Sequence, residues 1–281
     1  MQGDKVTATE IASGTVKRLH LGCGARFHPA WINVDLQPLD PSIVKHDVLT
    51  PLPFADVEFG AVYHAHLLEH LPRDRVPAFL RDCFRVLKPG GVLRVVVPDL
   101  EQIARLYLDS LQEAWDGDPE AQQRYRWAML EMYDQVVRER PGGEMLAYLA
   151  QAADRPCDLA WYRIGADGRV IRRHLERVAP QPRPSLLARW LGWRERVIRW
   201  LLGDENKLLR IGRFRRAGEI HCWMYDRHSL RELLRAAGFT GFRVTGPADS
   251  DVAGWADHGL DLETDGSPSK PDSLYVEAVR P

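Results

Sequence analysis

KRLHLGCG, residues 17–24, is the stretch of sequence that decides the fold. Its alternating Leu19 and Leu21 predict a short buried strand, which ends directly at Gly22 and Gly24. Two glycines at a strand end let the backbone turn tightly and approach a ligand with no Cβ in the way. The stretch therefore predicts an α/β fold with a ligand site at the carboxyl edge of a parallel sheet.

The rest of the first hundred residues continues the alternation of apolar runs and helical patterns that a parallel sheet requires. A helical stretch runs up to Leu87, and Lys88–Gly91 (KPGG) predicts a turn before an apolar strand. With two alternating runs near the carboxyl terminus, the pattern predicts a Rossmann-like, mostly parallel seven-stranded sheet with helices on both faces. The predicted strands are 17–21, 31–36, 43–48, 59–64, 92–97, 239–244 and 273–279.

A long segment of helical periodicity interrupts this pattern. It is rich in Trp, Tyr and Arg, and its length of about 120 residues is too great for a plain connecting loop. We expect residues 1–98 to form the first part of a cofactor-binding α/β domain and residues 221–281 to complete it. Residues 99–220 would form a helical insertion that acts as a substrate lid.

Acidic residues end the second and third predicted strands. Asp35 ends the second, where a carboxylate can accept both hydroxyl hydrogens of a ribose, and Asp47 ends the third, where it can accept from an adenine amino group. A dinucleotide fingerprint would continue to a third glycine, but Phe27 holds that position, which disfavours a nicotinamide or flavin dinucleotide. The pattern predicts a nucleoside pocket.

Five short motifs follow one another in this region: LHLGCG (19–24), NVD (33–35), HDV (46–48), LEH (68–70) and RVLKPGG (85–91). In this order they resemble the successive motifs of the class I, Rossmann-like S-adenosylmethionine-dependent methyltransferases. The resemblance covers about residues 16–100 and returns at 226–244 and in the last strand. It implies S-adenosyl-L-methionine as the cofactor and methyl transfer as the activity. Only thirteen positions separate Gly22 from Asp35, so the helix between them must be very short.

The resemblance also implies which residues surround the cofactor. Gly22 and Gly24 would border its methionine part, Asp35 would hold its ribose, and Asp47 with Val48 would lie at its adenine. The implied cofactor-binding residues are Leu21, Gly22, Cys23, Gly24, Asp35, Leu36, Asp47, Val48, His64 and Ala65.

A hydroxyl acceptor would benefit from a general base, and histidine suits this task because its ordinary pKa lies near neutrality. His66 is the first candidate by position, and His221 is the second because it stands where the insertion rejoins the sheet domain. Tyr225 could orient a substrate, and Asp226 is expected to cap the following helix. For each histidine, a hydrogen-bonded structural role is the alternative.

The histidines also raise the question of a metal. YHAHLLEHL (63–71) places His66 and His70 at i and i+4, so two imidazoles could share one helical face. The order His-Glu-x-x-His is absent because Glu69 directly precedes His70, and no cysteine pair completes a site. We therefore predict no metal, with a packing or pocket role for these residues.

Composition limits the partners. The formal net charge of −1 gives no reason to expect nucleic acid, and four scattered cysteines fit a reduced, cytoplasmic protein. The segment 183–216 carries ten basic residues against three acidic ones, which predicts recognition of an anionic small molecule. Within it, residues 186–202 place an apolar stripe on one helix face, which is explained by packing against the sheet domain or a second subunit of a homo-oligomer. A membrane-surface helix is the alternative. The acidic segment 249–272 could face the basic one, or each could be a solvated face.

Three functional classes remain open from the sequence. The first is a methyltransferase that acts on an oxygen or nitrogen of a small, sugar-like or anionic molecule. The second is another enzyme with the same pocket, such as an aminopropyl transferase or an oxidoreductase, and the third is a catalytically silent cofactor-binding module. Phe27 disfavours the oxidoreductase, and the Arg-rich insertion disfavours a polyamine substrate.

Overall fold

The computed structural model describes residues 16–151, 158–177, 205 and 207–281. They divide into two compact units. The first unit comprises the chain up to Ile103 and again from Cys222, and the second comprises residues 104–221. The lid role expected for the middle of the chain stays a prediction.

The first unit is built on one seven-stranded sheet with the strand order β3-β2-β1-β4-β5-β7-β6. The first five strands pair in parallel, and β7 runs antiparallel to both of its neighbours. This confirms the predicted Rossmann-like, mostly parallel sheet. The strands are β1 (Arg18–Leu21), β2 (Ile32–Asp35), β3 (Val44–Lys45), β4 (Phe59–Ala65), β5 (Leu87–Pro98), β6 (Thr240–Thr245) and β7 (Ser273–Val279).

Two helices cover one face of the sheet. Helix α1 (Val76–Val86) and the helix Arg227–Ala236, called α7 below, bury apolar side chains in the larger of the unit's two cores. Asp226 caps α7 as expected: its Oδ1 accepts the backbone N–H of Ser229 at 2.7 Å, and Ser229 Oγ accepts that of Asp226 at 3.1 Å. A cap of this kind is worth about 1 kcal/mol to the helix.

The segment between β6 and β7 covers the opposite face. Its Trp255 packs edge-to-face on Tyr63 and Trp31 in the smaller core of the unit, called the second cluster below. Among the described residues, none of the buried apolar side chains of this cluster belongs to an α-helix. Arg94, fully buried, forms ion pairs with Asp261 at 2.8 Å and Glu277 at 3.0 Å. A buried guanidinium needs such partners because an unpaired buried charge is strongly destabilising. Asp261 of the acidic segment is thus paired within this unit.

Two local features differ from the sequence-based expectations. Lys88–Gly91 is part of β5 rather than a separate turn, because Gly90 and Gly91 hydrogen-bond to the backbone of Arg280. The residues bulge out of the pairing with β4, and Gly90 supplies the positive φ of +76°. The third strand is only Val44–Lys45, and both of its residues are exposed at the sheet edge.

The second unit is helical in its described part, without a strand there. Its helices are α2 (Leu100–Trp115, of which residues from 104 onward belong here), α3 (Pro119–Val137), α4 (Gly143–Gln151), α5 (Asp158–Ile164) and α6 (Ala166–Arg177), and residues 207–215 are also helical. Trp127, Leu149 and Ala160 form its core. Glu131 accepts the Trp127 indole N–H at 2.6 Å and pairs with Arg163 at 2.7 Å.

Two predictions concern residues of this unit that the structure covers only in part. The expected helix at 186–202 lies outside the described residues. Of the basic segment 183–216, only residue 205 and residues 207–216 are described. Among the helices of the described ranges, none is long and apolar enough to cross a membrane.

Candidate active site at the carboxyl edge of the sheet

The glycine turn after β1 forms the first part of the site. Gly22 and Gly24 have φ values of +65° and +52°, which side chains rarely allow. A Cβ on Gly22 would lie 3.0 Å from the Leu67 side chain, whereas a Cβ on Gly24 would meet no atom within 4 Å. The backbone at Gly24 therefore borders open space in which a ligand can come close.

Asp35 fixes this turn from the end of β2. Its Oδ2 accepts the backbone N–H of Gly24 at 2.8 Å, and its Oδ1 accepts that of Gln37 at 2.8 Å. A carboxylate offers about four acceptor positions, so each oxygen can still accept from a ligand. Leu36, the next residue, is 53% exposed beside it.

The strand end after β3 supplies the second predicted acid. Asp47 is exposed, and its Oδ1 accepts the backbone N–H of Leu49 at 2.9 Å. Val48 is partly buried against the core of the first unit. Asp35 and Asp47 follow adjacent strands, so the structure brings both predicted acids to the same edge of the sheet.

No helix stands between β1 and β2, so the expected very short helix is absent from residues 22–31. The side chain of Arg26 holds this loop in place instead. Arg26 donates to the carbonyls of Gly259 and Leu262, both at 3.0 Å, and pairs with Glu263. The glycine turn is thereby tied to the segment that covers the second face of the sheet.

Leu21 and Cys23 are buried beside the turn rather than open to a ligand. Leu21 lies in the core with no exposed surface, and Cys23 is 4% exposed. Burial, together with the nearby charge of Asp35, raises the pKa of the Cys23 thiol to about 11. Cys23 is therefore a neutral thiol at physiological pH, and not a nucleophile.

His64 does not line an open pocket with its side chain. It is fully buried, and its ring packs edge-to-face on Phe79 of α1 with 5.3 Å between centroids. Burial lowers the pKa of His64 to about 4, so the ring is neutral. The expectation that its side chain faces the pocket is wrong, because this position of β4 faces α1. Ala65 points the other way and packs on the second cluster.

His66 is the centre of a group of three side chains that the sequence did not predict as a set. Its Nε2 lies 2.8 Å from Ser273 Oγ, and its Nδ1 lies 3.1 Å from Glu69 Oε1. Glu69 is fully buried, whereas the His66 side chain is 20% exposed. Ser273 carries no signal in the sequence, since it is 207 residues away from His66.

The expectation that His66 and His70 share a helical face is wrong. The segment after β4 is a single 3-10 turn, Leu68–His70, and His66 precedes it. The φ of His66 is +49°, in the left-handed region, so the chain reverses there and turns its imidazole toward Glu69 and Ser273.

Tyr225 and His221, the other catalytic candidates, are both buried. Tyr225 is 1% exposed, and burial with the nearby Glu69 raises the pKa of its hydroxyl to about 12. It can therefore donate a hydrogen bond but not act as a base at neutral pH. His221 belongs to the second unit, where its backbone N–H donates to the carbonyl of Gln135 at 2.9 Å.

Comparison with known proteins finds one family model that matches part of the chain. Residues 2–95 match a family model described as a methyltransferase domain. Among curated proteins, none is similar to this chain in sequence.

Several solved structures are similar in outline. A complex of the Trm112 methyltransferase activator with a methyltransferase from Haloferax volcanii matches at 12% identity, with 97% of this chain and 87% of that chain covered and a TM-score of 0.39. A SAM-dependent methyltransferase from Thermotoga maritima matches at 11% identity, with 98% and 86% covered and a TM-score of 0.39. One from Archaeoglobus fulgidus matches at 12%, with 94% and 86% covered and a TM-score of 0.37. Likeness at this level carries nothing about their substrates or partners to this chain.

Proposed function

We propose that this chain is a class I S-adenosylmethionine-dependent methyltransferase that moves a methyl group to an oxygen or nitrogen of a small molecule. The observation that carries the proposal is the carboxyl edge of the sheet. There a glycine turn fixed by Asp35 lies in the same unit, and at the same sheet edge, as a histidine held by a buried carboxylate. This combination provides a cofactor site and a candidate base.

The residues at the edge suit S-adenosylmethionine. Gly24 leaves open space where a Cβ would point, which favours close approach of the methionine part. Asp35 keeps acceptor capacity for the two ribose hydroxyls, and the exposed Asp47 can accept from the adenine amino group. Leu36 and Val48 offer apolar surface next to these acids.

When bound, the cofactor supplies a methyl group already activated by a positively charged sulfur. The work left to the chain is to hold an acceptor close and aligned, which can contribute roughly 7–11 kcal/mol. We assign the role of general base to His66, because its side chain is partly exposed and Glu69 orients the ring. His221 is the second candidate, and Tyr225 would orient the acceptor by donating its hydroxyl hydrogen.

The acceptor class is proposed from charge. Five basic residues of the segment 183–216 lie in its described part, all exposed: Lys207, Arg210, Arg213, Arg215 and Arg216. Guanidinium groups bind phosphate and carboxylate bidentately, so the helical unit is proposed to select an anionic, or sugar-like and phosphorylated, acceptor.

Ligand-dependent stability tests the cofactor assignment. Purified protein is heated with S-adenosylmethionine or S-adenosylhomocysteine at about a hundred times its dissociation constant, or with NAD at the same concentration. The first two should stabilise by about 2.7 kcal/mol, and NAD should not. Stabilisation by NAD alone would refute the proposal.

Transfer of a labelled methyl group tests the activity. The panel of acceptors consists of phosphorylated sugars, carboxylated sugars, alcohols and amines. Binding of the cofactor without transfer to any of them would favour the silent module, whereas methylthioadenosine that keeps the label would show transfer of the other chain on sulfur.

A further inference from the structure

We propose that Ser273, His66 and Glu69 form a proton relay, and that the acceptor is therefore an alcohol rather than an amine. The inference rests on the proposed function, because only methyl transfer at this edge gives the relay a proton to remove. To His66 it adds Ser273, which lies in no motif, and Glu69, a residue of the LEH motif (68–70) to which the resemblance gives no role.

The contacts have the order that a relay needs. Ser273 Oγ lies 2.8 Å from Nε2 of His66, and the opposite ring nitrogen, Nδ1, lies 3.1 Å from Glu69 Oε1. The Nδ1–Oε1 contact is at ion-pair distance but is not a hydrogen bond in this structure. The relay requires the ring to turn slightly so that Nδ1 donates its hydrogen to Glu69, which leaves a lone pair on Nε2. Ser273 is buried, and its hydroxyl also contacts the Tyr275 side chain. In the relay it donates its hydrogen to the Nε2 lone pair, and its oxygen accepts a hydrogen from the acceptor.

The strand pairing brings the three groups to the carboxyl edge. Ser273 is the first residue of β7 and pairs antiparallel with Pro98, the last residue of β5. His66 directly follows β4, and its backbone N–H donates to Val96 of β5 at 2.9 Å. The relay therefore lies at the ends of the same parallel strands whose first member, β1, carries the glycine turn.

If these three side chains had only a structural role, they would lower the stability of the fold. A buried carboxylate and imidazole seldom stabilise a fold as well as apolar side chains of the same volume, because both must leave water. The left-handed φ of +49° at His66 adds local backbone strain. Such costs are typical of functional sites. Here the burial falls on Glu69 and the backbone strain on its partner His66, whose side chain is 20% exposed.

The chemistry balances without a further reactant. The acceptor hydroxyl gives its proton to Ser273 Oγ while Ser273 gives its own proton to His66 Nε2. The acceptor oxygen forms the new O–CH3 bond as the S–CH3 bond of the methyl donor breaks, and the bonding electrons stay on sulfur. The imidazolium is stabilised by Glu69 at 3.1 Å and later loses its proton to water. A neutral amine has a free lone pair for attack and does not need this relay.

The ring tautomer of His66 tests the relay without any activity measurement. Nitrogen NMR of labelled protein, with the His66 signals assigned by their loss in His66→Gln, should show a hydrogen on Nδ1 and none on Nε2. Asp261 also lies near His66, but it is paired with Arg94 and accepts the hydroxyl hydrogen of Tyr63, so it does not compete for the ring hydrogen. A hydrogen on Nε2 would overturn the proposal, because Nε2 could not then accept a proton.

Matched serine variants test the role of the hydroxyl. Ser273→Ala should lower kcat about tenfold or more with little change in the KM for S-adenosylmethionine, and Ser273→Thr, which keeps a hydroxyl, should restore most of it. Ser110→Ala is the control, since Ser110 is 1% exposed and donates to a helix carbonyl in the second unit. Equal loss in Ser273→Ala and Ser273→Thr would refute the relay.

The product identifies the acceptor class, and the outcomes separate the two proposals. Methyl groups should be found on oxygen, and an N-methyl product would overturn the alcohol assignment. If S-adenosylhomocysteine does not bind the wild-type protein in calorimetry, the proposed function fails whatever the tautomer. If it binds and the tautomer is wrong, the relay alone fails.

Discussion

The carboxylate of Asp35 accepts the backbone N–H groups of Gly24 and Gln37, each at 2.8 Å, before any ligand is considered. It fixes the glycine turn, and in the proposed site its remaining lone pairs would also accept from the ribose hydroxyls. Hydrogen bonds to a charged group contribute about 1.5–3 kcal/mol each, so this residue should dominate the affinity for the cofactor.

Asp35→Ala should weaken S-adenosylhomocysteine binding by about 1.5–3 kcal/mol, which is roughly tenfold to more than a hundredfold, as measured by calorimetric titration. Asp40→Ala is the matched control, because Asp40 accepts from Ser42 in the next loop and is not assigned to the site. Unchanged affinity in a folded Asp35→Ala protein would remove Asp35 from the site.

The residues of the site differ in how far the sequence could reveal them. The positions of Gly22, Gly24 and Asp35 in the site could be predicted from the sequence, because a strand end is a local signal and the glycines mark its turn. The side-chain direction of His64 is not readable, since β4 is buried on both faces and alternation then carries no information. Ser273 joins His66 only through the pairing of β7 with β5, which no local pattern encodes.

Some secondary-structure elements are determined by the local sequence and could be predicted from it, whereas others depend on contacts between residues far apart in the chain. The strand Ser273–Val279 has the predicted bounds because its apolar run, Leu274–Val276, is a local signal. The loop after β1 was expected to hold a short helix, but its geometry is decided by Arg26, which bonds to residues 233 and more positions away in the chain. Sequence periodicity does not predict such long-range hydrogen bonds.

Arg26→Gln should loosen the loop after β1 and lower the affinity for S-adenosylhomocysteine about fivefold, because the Glu263 pair and part of the carbonyl bonding are lost. Hydrogen exchange of residues 24–28 should become faster at the same time. Arg18→Gln is the control, since Arg18 donates to Ala253 of the same covering segment but does not hold the glycine turn. A faster exchange without loss of affinity would separate the loop from the cofactor site.

At the scale of the whole molecule, charge is unevenly distributed between the two units. Asp261, Glu277 and Glu263 of the sheet unit are paired with arginines of the same unit, whereas Arg213 and Arg216 of the helical unit are exposed. The acidic segment 249–272 is therefore not only a solvated face, because Asp261 and Glu263 within it are paired with arginines of the sheet unit.

Reversing two of the exposed charges tests what they recognise. Arg213→Glu with Arg216→Glu should raise the KM for an anionic acceptor while the affinity for S-adenosylhomocysteine stays the same. The comparison variant is Arg169→Glu with Arg173→Glu, two exposed arginines on α6 of the same unit. Sedimentation of the wild-type protein with anionic vesicles, reversed by salt and lost in the first variant, would favour membrane contact instead.

Acid should destabilise the whole fold through two buried histidines. Burial lowers the pKa of His20 to about 3 and that of His64 to about 4, from 6.5 in an unfolded chain. Below pH 6.5 the unfolded chain takes up protons that the folded protein does not, so stability is complete above that pH and falls as the pH decreases. At pH 5 the expected loss is about 2 kcal/mol for each histidine.

His64→Phe isolates one of these contributions. Both ring nitrogens of His64 have no hydrogen-bond partner among the described residues, and the ring already packs on Phe79, so an apolar ring gives up no polar contact. Between pH 7 and pH 5, the free energy of unfolding measured in urea should fall by about 2 kcal/mol less in this variant than in the wild type. The difference between the two pH values matters here, because a larger ring can change packing at both alike. His228→Phe, at an exposed position, is the control. An equal fall in His64→Phe and the wild type would mean that His64 takes up a proton without unfolding, and that its burial in the core is not maintained at pH 5.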